Sequence, residues 1–458
     1  MVNVPTLLAV ASLAANYGSR SVLPVVSHVI CIDGICSASE LIGACSSAFF
    51  AGDLGAQLVA KALVQRFSGQ QLLCWGTGAW AAVMLLVPAA LTGPRLLLLL
   101  LQAVLGFCCG LGYPSAHALL AETVAPENKG LAVSLIISAS AVGAMASNFL
   151  TPQLTQVFSW LVPFLLFAGL GLAITCSISL CSTRPKPKAH GSSVSRSDSS
   201  ELLLWLREPL IPAIFLGMFA SGAANAFLYS FVPTLFVEAY GASLEQLGFL
   251  TFAAPLGNSV CCVLSGILAD SLVKHMRPYQ VRMIMQSLGT AVPALCLLAT
   301  CQLKSQLGAA VTVTLWMASH GFQTSGITAL LHDVAHARAS ELFAMGNVAS
   351  KFAGILAGPL VSRFASTWGW NWILCIIALH YLVSGAVLVS LMPRSEEASK
   401  LFNIDSCKKE EQKDESGSPA SSDAESTHIA SSAEPTPSSS RFSSRSSRRR
   451  PTREVSLD

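Results

Sequence analysis

Long apolar runs dominate this chain of 458 residues and constrain its fold more than any other feature. A helix needs about 20 mostly apolar residues to cross the hydrocarbon core of a bilayer. Backbone N–H and C=O groups find no water partners in lipid, so such runs fold as helices. The sequence predicts twelve spans, at residues 5–30, 39–63, 72–93, 95–120, 131–152, 158–181, 209–236, 243–269, 281–301, 305–330, 340–363 and 370–392.

The composition is typical of an integral, multi-pass membrane protein. Hydrophobic residues make up 52% of the chain and charged residues only 12%, whereas a soluble domain carries about 25% charged residues. The net charge of +3 is too close to balance to indicate nucleic-acid binding. The sequence has no phosphate-binding glycine loop, metal-ligand cluster or nucleophile–base arrangement, so we expect neither an enzyme nor a cofactor or metal.

The predicted spans fall into two groups of six, which are separated by a polar linker rich in serine and proline. The character of the chain changes again after Pro393. We therefore predict an all-α membrane protein with an N-terminal six-helix half (1–181), a cytoplasmic linker (182–207), a C-terminal six-helix half (208–393) and a disordered cytoplasmic tail (394–458). The tail's serines are either phosphorylation sites or part of an inert solubilising segment.

Basic residues in the loops indicate the orientation of the chain. If the amino terminus is cytoplasmic, most loop Lys and Arg residues also lie on the cytoplasmic side, as is usual in membrane proteins. Both termini are then cytoplasmic, whereas the sequence does not identify the resident membrane. The loop after the first span contains Cys31 and Cys36. They form a disulfide if this loop faces an oxidising compartment, or are ordinary loop thiols.

Arg20 is the residue of the first span that most needs an explanation. At about 1.5 Å of rise per residue, it lies roughly 20 Å into the span. A charge at that depth costs about 2.5 kcal/mol or more unless it faces a cavity or a partner. Either the side chain reaches the headgroups along its aliphatic stem, or it is a fixed positive charge that attracts an anion into an aqueous pathway.

Three histidines in or beside the spans, His117, His320 and His332, are candidates for carrying a coupling proton. Histidine suits that role because it titrates between about pH 5 and pH 8. The ordinary alternative is a helical histidine that is hydrogen-bonded to a neighbour. His332 lies beside Asp333, at the predicted cytoplasmic end of the tenth span.

Two groups of six spans joined by a long linker resemble the major facilitator superfamily, whose halves enclose a central site. The loop after the eighth span contains Gly266, Asp270 and Lys274 at four-residue spacing, which is similar to a cytoplasmic gate motif of that superfamily. The equivalent loop after the second span has Gln65 where the acid usually stands. One gate motif is thus intact and one is degraded.

Five segments resemble the anion/cation symporter family within that superfamily. They are NYGSRSVLPVV in the first span, SSAFFAGDLGAQ in the second, GFCCGLGYPSAHALL in the fourth, VRMIMQSLG in the ninth, and SGITALLHDVAHARASELFAMGNVASKFAGILAG across the tenth and eleventh. The family contains vesicular glutamate, nucleotide and sialic acid carriers, sodium–phosphate carriers and plastid phosphate transporters. The resemblance implies a secondary transporter in the lipid bilayer that moves an anion by alternating access, coupled to H⁺, Na⁺ or the membrane potential. We expect it to be a monomer.

The resemblance also implies roles for individual residues. Arg20 matches a first-span arginine that meets the negative charge of the substrate. Tyr113, His117 and Asn347 match further substrate-binding positions. Asp333 matches an acid at the cytoplasmic end of the tenth span that belongs to the gate.

The departures from the family pattern concern charge. In the fourth span the family often has an arginine and a glutamate where this chain has Gln102 and Cys109. Conversely, Asp53 and Lys351 stand where an aromatic and a small residue are usual. We interpret this as a relocation of charge, in which Lys351 joins Arg20 in binding the anion and Asp53 carries the coupling proton. The alternative is that Asp53 pairs with Lys351 or Arg20 and only orients the helices.

The charge missing from the fourth span leaves two other functions open. The first is transport of a neutral or cationic solute in place of an anion. The second is a non-transporting relative that senses a ligand and signals through its tail. The degraded gate motif at Gln65 favours it, whereas the intact gate motif and the retained Arg20 oppose it.

Overall fold

The computed structural model of the chain describes residues 3–31, 37–124, 129–181, 205–335 and 339–395, together with 397 and 399. These residues lie in one compact unit that extends over residues 1–408. Within them the structure is almost entirely helical and contains no strand, which confirms the predicted all-α fold. The predicted linker and tail lie almost wholly outside the described residues.

Nine helices in the described part of the chain are long and apolar enough to cross a membrane. The other three predicted spans are also helical over most of their length. Numbered in chain order, the spans are span 1, Val4–Ser19 and Val22–Ile30; span 2, Ala38–Arg66; span 3, Gly69–Leu91; span 4, Arg95–Gly110 and Gly112–Thr123; span 5, Lys129–Val157; span 6, Val162–Leu180; span 7, Leu210–Tyr240; span 8, Leu244–Thr251 and Ala253–Leu272; span 9, Pro278–Gln302; span 10, Gln306–His320, Thr324–Thr328 and Ala329–Ala335; span 11, Ala339–Trp368; and span 12, Trp370–Leu391.

Side-chain caps fix where several spans begin. At the start of span 1, the Asn3 side chain accepts a hydrogen bond from the Thr6 N–H at 3.0 Å. At the start of span 3, Ser68 and Gln71 each accept a hydrogen bond from the other's backbone N–H at 3.2 Å. Such caps satisfy N–H groups that have no partner within the first helical turn. Spans 2 and 3 can therefore be joined by very few residues.

The outer surface of the helices is apolar. Leu96, Ile267, Leu295 and Leu379 lie on four different spans, and each is more than 60% exposed. Many polar side chains are instead buried, including Asp53. A soluble protein rarely exposes a large contiguous apolar patch, whereas lipid tails are a favourable environment for one. The surface therefore supports a multi-pass membrane protein.

Spans 1, 4, 8 and 10 are interrupted partway along their length, and the break in span 8 falls at Phe252. Span 1 breaks at Arg20 and Ser21, whose N–H groups bond to the carbonyls three residues earlier in place of the α-helical pattern. Span 4 breaks at Leu111, and span 10 contains a π-helical stretch at Thr324–Thr328. Such irregular backbone is tolerated at membrane depth where it lines a cavity or is buried in protein. The breaks therefore indicate where to look for a site.

Candidate functional site

A polar cavity of about 340 Å³ lies between the first six and the last six spans. Four of the five residues that the sequence assigns to substrate binding line it, namely Arg20, Tyr113, Asn347 and Lys351. The other polar residues of its wall are Tyr17, Ser140, Ser221, Asn225, Tyr229, Asn258, His320, Gln323, Thr324, Thr328 and Ser350. Pockets for small organic ligands have volumes of about 300–1,000 Å³, so the cavity is large enough for one.

Arg20 contributes an uncompensated positive charge to this cavity. Its Cζ lies 4.0 Å from the centre of the Tyr17 ring and 4.8 Å from that of the Phe49 ring. Aromatic faces stabilise a guanidinium without neutralising it. The Arg20 Nε is buried without a hydrogen-bond partner, and no ion pair involves Arg20 within the described residues. An anion bound beside Arg20 in the cavity would compensate its charge.

A smaller cavity of about 50 Å³ also adjoins Arg20. Gln102 and Ser46 line it, so Gln102 lies close to Arg20 although it is far away in the chain. Gln102 replaces the arginine that the family often has in the fourth span, and Cys109, which replaces the glutamate, is buried nearby on the same helix. Both uncharged replacements, Gln102 and Cys109, therefore lie on the same side of the cavity as Arg20.

Asp53 and Lys351 form an ion pair that links span 2 to span 11. The Lys351 Nζ lies 2.7 Å from the Asp53 Oδ2, and the Asp53 side chain is only 1% exposed. Gln57 donates to the Asp53 Oδ1 at 3.5 Å and to the Gly110 carbonyl at 3.1 Å, which holds the carboxylate against span 4. The charge of Lys351 is thus compensated, although its side chain lies in the cavity wall. A proton on Asp53 would release that charge to the cavity.

Three tyrosines form an aromatic cluster around Arg20. The Tyr17 ring stands edge-on to the rings of Tyr113 and Tyr229, with centroids 5.7 and 6.4 Å away. His117 stacks on Tyr113 at 6.2 Å between ring centroids, but it is not part of the cavity wall. The structure thus brings four of the predicted substrate-binding residues together, whereas His117 is exposed and lies outside the cavity wall.

Spans 7 and 10 give the cavity a neutral polar wall, most of which sequence reasoning missed. Ser221 and Asn225 lie one helical turn apart on span 7 and both face the cavity. On span 10, His320 is hydrogen-bonded to Ser221 at 3.1 Å, and Gln323 donates to the Gly289 carbonyl at 2.9 Å. The sequence feature that could have identified them is the four-residue spacing of polar residues within an otherwise apolar span.

The predicted gating residues do not meet one another in this conformation. Asp270 and Lys274 are exposed at the end of span 8, and a Cβ atom added to Gly266 would meet open space. Asp333 instead forms an ion pair with Arg282 of span 9, with Arg282 Nε 2.8 Å from Asp333 Oδ2. The Asp333 side chain is 36% exposed, so this pair lies at the edge of the protein.

Polar contacts between the first and last six spans are found on the side where span 1 ends and span 2 begins. His28 is hydrogen-bonded to Thr234 of span 7 at 3.1 Å. Ser46 is hydrogen-bonded to Ser230 of the same helix at 2.9 Å. His28 lies in a span yet was not among the histidines singled out from the sequence. These contacts hold the two sets of spans together on one side of the cavity.

Glycines bring spans 2 and 11 into backbone contact on that same side. A Cβ atom added to Gly43 would lie 2.7 Å from the Gly358 carbonyl oxygen, and one added to Gly358 would clash with the Gly43 carbonyl. Nearby, the Ser47 hydroxyl donates to the Ile355 carbonyl at 2.7 Å. Small residues allow helices in membranes to approach this closely. The cavity is therefore closed toward the end of span 1.

A family model matches residues 7–358, which is most of the part of the chain that holds the spans, and its description is the Major Facilitator Superfamily. The chain belongs to the Major Facilitator Superfamily. The resemblance predicted from the sequence motifs is thus confirmed. The crystal structure of a D-xylose-proton symporter has the same fold, with a TM-score of 0.66, 15% sequence identity, and coverage of 85% of this chain and 96% of that one.

Two plant proteins are similar to the chain in sequence. The first is "Probable anion transporter 3, chloroplastic" of Arabidopsis thaliana, which is 27% identical over 70% of this chain and 66% of its own length. The second is "Sodium-dependent phosphate transport protein 1, chloroplastic" of the same species, which is 22% identical over 78% of this chain and 72% of its own length. The chain therefore spans slightly less than two thirds of the first relative.

Proposed function

We propose that this protein is a secondary transporter that carries an anion through the central cavity by alternating access. The observation that carries the proposal is the uncompensated charge of Arg20 in the cavity wall. The names of the relatives, an anion transporter and a phosphate transport protein, support the same substrate class. In this proposal Tyr113 and Asn347 contact the bound anion, and no covalent step is involved.

Asp53 and Lys351 provide the coupling in this proposal. When Asp53 is ionised, Lys351 is compensated and the cavity offers one free positive charge, that of Arg20. When Asp53 is protonated, Lys351 becomes available and the cavity offers two. Because a proton and an anion then favour each other's binding, their transport is coupled. The coupling ion in this scheme is H⁺, and Na⁺ would need a different group.

In this proposal the two sets of six spans act as the moving halves, and the side of the cavity away from the end of span 1 faces the cytoplasm. Both termini are cytoplasmic in this proposal, which places the closed side of the cavity on the opposite face. Cys31 at the end of span 1 is disulfide-bonded, which favours an oxidising compartment there, whereas Cys36 lies outside the described residues. The cavity is enclosed within one chain, so a monomer suffices.

Uptake into proteoliposomes tests the proposal directly. Purified protein is reconstituted, and uptake of radiolabelled phosphate, glutamate and ATP is measured with an imposed pH gradient or membrane potential. We expect gradient-driven uptake of at least one anion, lost in Arg20→Ala and kept in Arg66→Ala. Arg66 is a suitable control because it is exposed at the end of span 2.

Failure of the folded wild-type protein to take up any of the three anions would count against anion transport. A screen of neutral and cationic solutes would then follow. If uptake occurs but Arg20→Ala transports like the wild type, the anion binds elsewhere than in this cavity. Transport by a variant that ends at residue 394 would exclude a purely sensory role for the tail.

A further inference from the structure

A series of hydrogen bonds runs from span 10 to span 12, back to span 10 and then to span 7 at the cavity. The Trp316 Nε1 lies 3.2 Å from the Tyr381 hydroxyl, and that hydroxyl lies 2.8 Å from the Nδ1 of His320. The Nε2 of His320 lies 3.1 Å from the Ser221 hydroxyl on span 7. Trp316 and Tyr381 are almost completely buried, whereas Ser221 lines the cavity.

The chemistry of these groups fixes which atom donates in each of these hydrogen bonds. An indole N–H can only donate, so the Tyr381 hydroxyl accepts from Trp316. The Tyr381 proton then needs an acceptor, and in the described structure the only one is the Nδ1 of His320. A neutral imidazole that accepts at Nδ1 carries its proton on Nε2. His320 therefore donates to the Ser221 oxygen.

The other tautomer of His320, with the proton on Nδ1, is disfavoured because the Tyr381 hydroxyl is buried. If the Nδ1 of His320 carried the proton, the Tyr381 hydroxyl would accept from both Trp316 and His320. Its own proton would then be buried without an acceptor, because no other hydrogen bond of that hydroxyl exists within the described residues. Leaving a buried donor unsatisfied costs the full desolvation of that group.

Ser221 differs from the other serines of these spans in where its proton can go. The Ser319 hydroxyl, for example, donates to the Leu315 carbonyl of its own helix at 2.7 Å. Ser221 makes no such bond in the described structure, and its oxygen already accepts from His320. Its proton is thus left to point into the cavity.

We propose that Trp316, Tyr381 and His320 fix the Ser221 hydroxyl as a hydrogen-bond donor to the transported anion. Ser221 is then a specificity-determining residue, because a substrate must present an acceptor at span 7 as well as a negative charge at Arg20. His320 acts as a positioning residue in this scheme. The inference deepens the proposed function and rests on it.

Transport kinetics test the donor role with phosphate, glutamate and ATP as probes. We expect Ser221→Ala to raise KM about tenfold at nearly constant Vmax, the value of one hydrogen bond to the anion. Tyr381→Phe leaves His320 free to adopt either tautomer, so only about half of the molecules are competent and KM rises about twofold. The double variant should match Ser221→Ala alone, and the matched control Ser319→Ala should transport like the wild type.

The tautomer of His320 can be read independently of transport. In protein with ¹⁵N-labelled histidine, the His320 signals are assigned by their loss in His320→Gln. We expect a protonated Nε2 and an unprotonated Nδ1 in the wild type, and a mixture of tautomers in Tyr381→Phe. A protonated Nδ1 in the wild type would overturn the proposal whether or not the protein transports an anion.

The two readouts separate this inference from the proposed function. A wild-type protein that transports none of the probes counts against the function, while the ¹⁵N spectrum still decides which nitrogen of His320 carries the proton. A wild-type protein that transports while Ser221→Ala is unaffected overturns the donor role alone. The donor role would also be overturned if the increases in KM caused by Ser221→Ala and Tyr381→Phe multiplied in the double variant.

Discussion

Arg20 and Lys351 line the same cavity but differ in what compensates their charge. Arg20 lies against the rings of Tyr17 and Phe49 and belongs to no ion pair within the described residues. Lys351 contacts the buried carboxylate of Asp53 at 2.7 Å. The comparison teaches that a charge in a cavity wall is available to a ligand only if the protein leaves it unpaired. One cation is therefore ready to bind, and the other must first be released.

The largest expected effect is on stability, and it distinguishes the two cations. Lys351→Met leaves the charge of Asp53 buried without a partner, which should lower the free energy of unfolding by about 3–5 kcal/mol. Arg20→Met should lower it by less than about 1 kcal/mol, because no carboxylate forms an ion pair with Arg20 within the described residues. Denaturant unfolding in detergent measures both. The double variant Asp53→Asn with Lys351→Met should recover most of the loss, and equal losses in the two single variants would contradict the comparison.

The second expected effect is on anion binding at Arg20. Removing a charged hydrogen-bond donor costs about 1.5–3 kcal/mol, so Arg20→Ala should raise KM about 10- to 150-fold. Arg20→Lys should fall between Arg20→Ala and the wild type, because lysine keeps the charge but loses the planar group that stacks on aromatic rings. Initial uptake rates over a range of anion concentrations measure KM. A lysine variant as poor as the alanine variant would show that planarity matters more than charge.

The third expected effect is on the preference for divalent anions when Lys351 is left unpaired, as Arg20 is. Asp53→Asn removes the compensating charge, so the cavity should hold two free cations at all pH values. A divalent anion should then gain about fivefold over a monovalent one, which corresponds to about 1 kcal/mol of attraction at 4 Å in water. Competition of sulfate and nitrate against the transported anion measures this ratio. Uptake should also stop responding to an imposed pH gradient, and a response that persists would exclude Asp53 as the proton carrier.

The smallest effect concerns the ion pair between Arg282 and Asp333. It also joins an aspartate to a basic side chain, but the Asp333 side chain is 36% exposed, compared with 1% for Asp53. Exposed pairs contribute about 0–1 kcal/mol, so Asp333→Asn should change the free energy of unfolding by no more than that. Unfolding under the same conditions as for Lys351→Met makes the two pairs comparable. A loss similar to that of Lys351→Met would show that burial does not set the difference.

The fold was largely predictable because its main determinant is local. Nine of the spans in the described part of the chain are long apolar helices, and a run of about 20 apolar residues is recognisable without knowledge of its neighbours. Arg20 was predictable as a candidate for the same reason, since one charge within an apolar run is visible in a short window. The breaks in spans 1, 4, 8 and 10 were not predicted, because an apolar run does not show where its helix is interrupted.

The rest of the site depends on contacts between residues that are distant in the chain. The sequence left open whether Asp53 binds a proton or pairs with Lys351, and only the packing of span 2 on span 11 brings them to 2.7 Å. Ser221 and Gln323 were missed because neutral polar residues in a span resemble ordinary packing residues. His117 matched a family motif, but a motif does not report that its side chain stacks on Tyr113 and lies outside the cavity wall.

The closed side of the cavity has a consequence for the conditions under which the protein works. The contacts on that side are a hydrogen bond between two serines, a hydrogen bond between a histidine and a threonine, and close backbone packing at two glycines. No ion pair is found among the described residues of that side. Salt weakens bonds between exposed charges far more than such contacts. The closed side of the cavity should therefore stay closed equally well at low and at high salt concentration. A carrier with this construction tolerates large swings in the electrolyte content of the compartment that it faces.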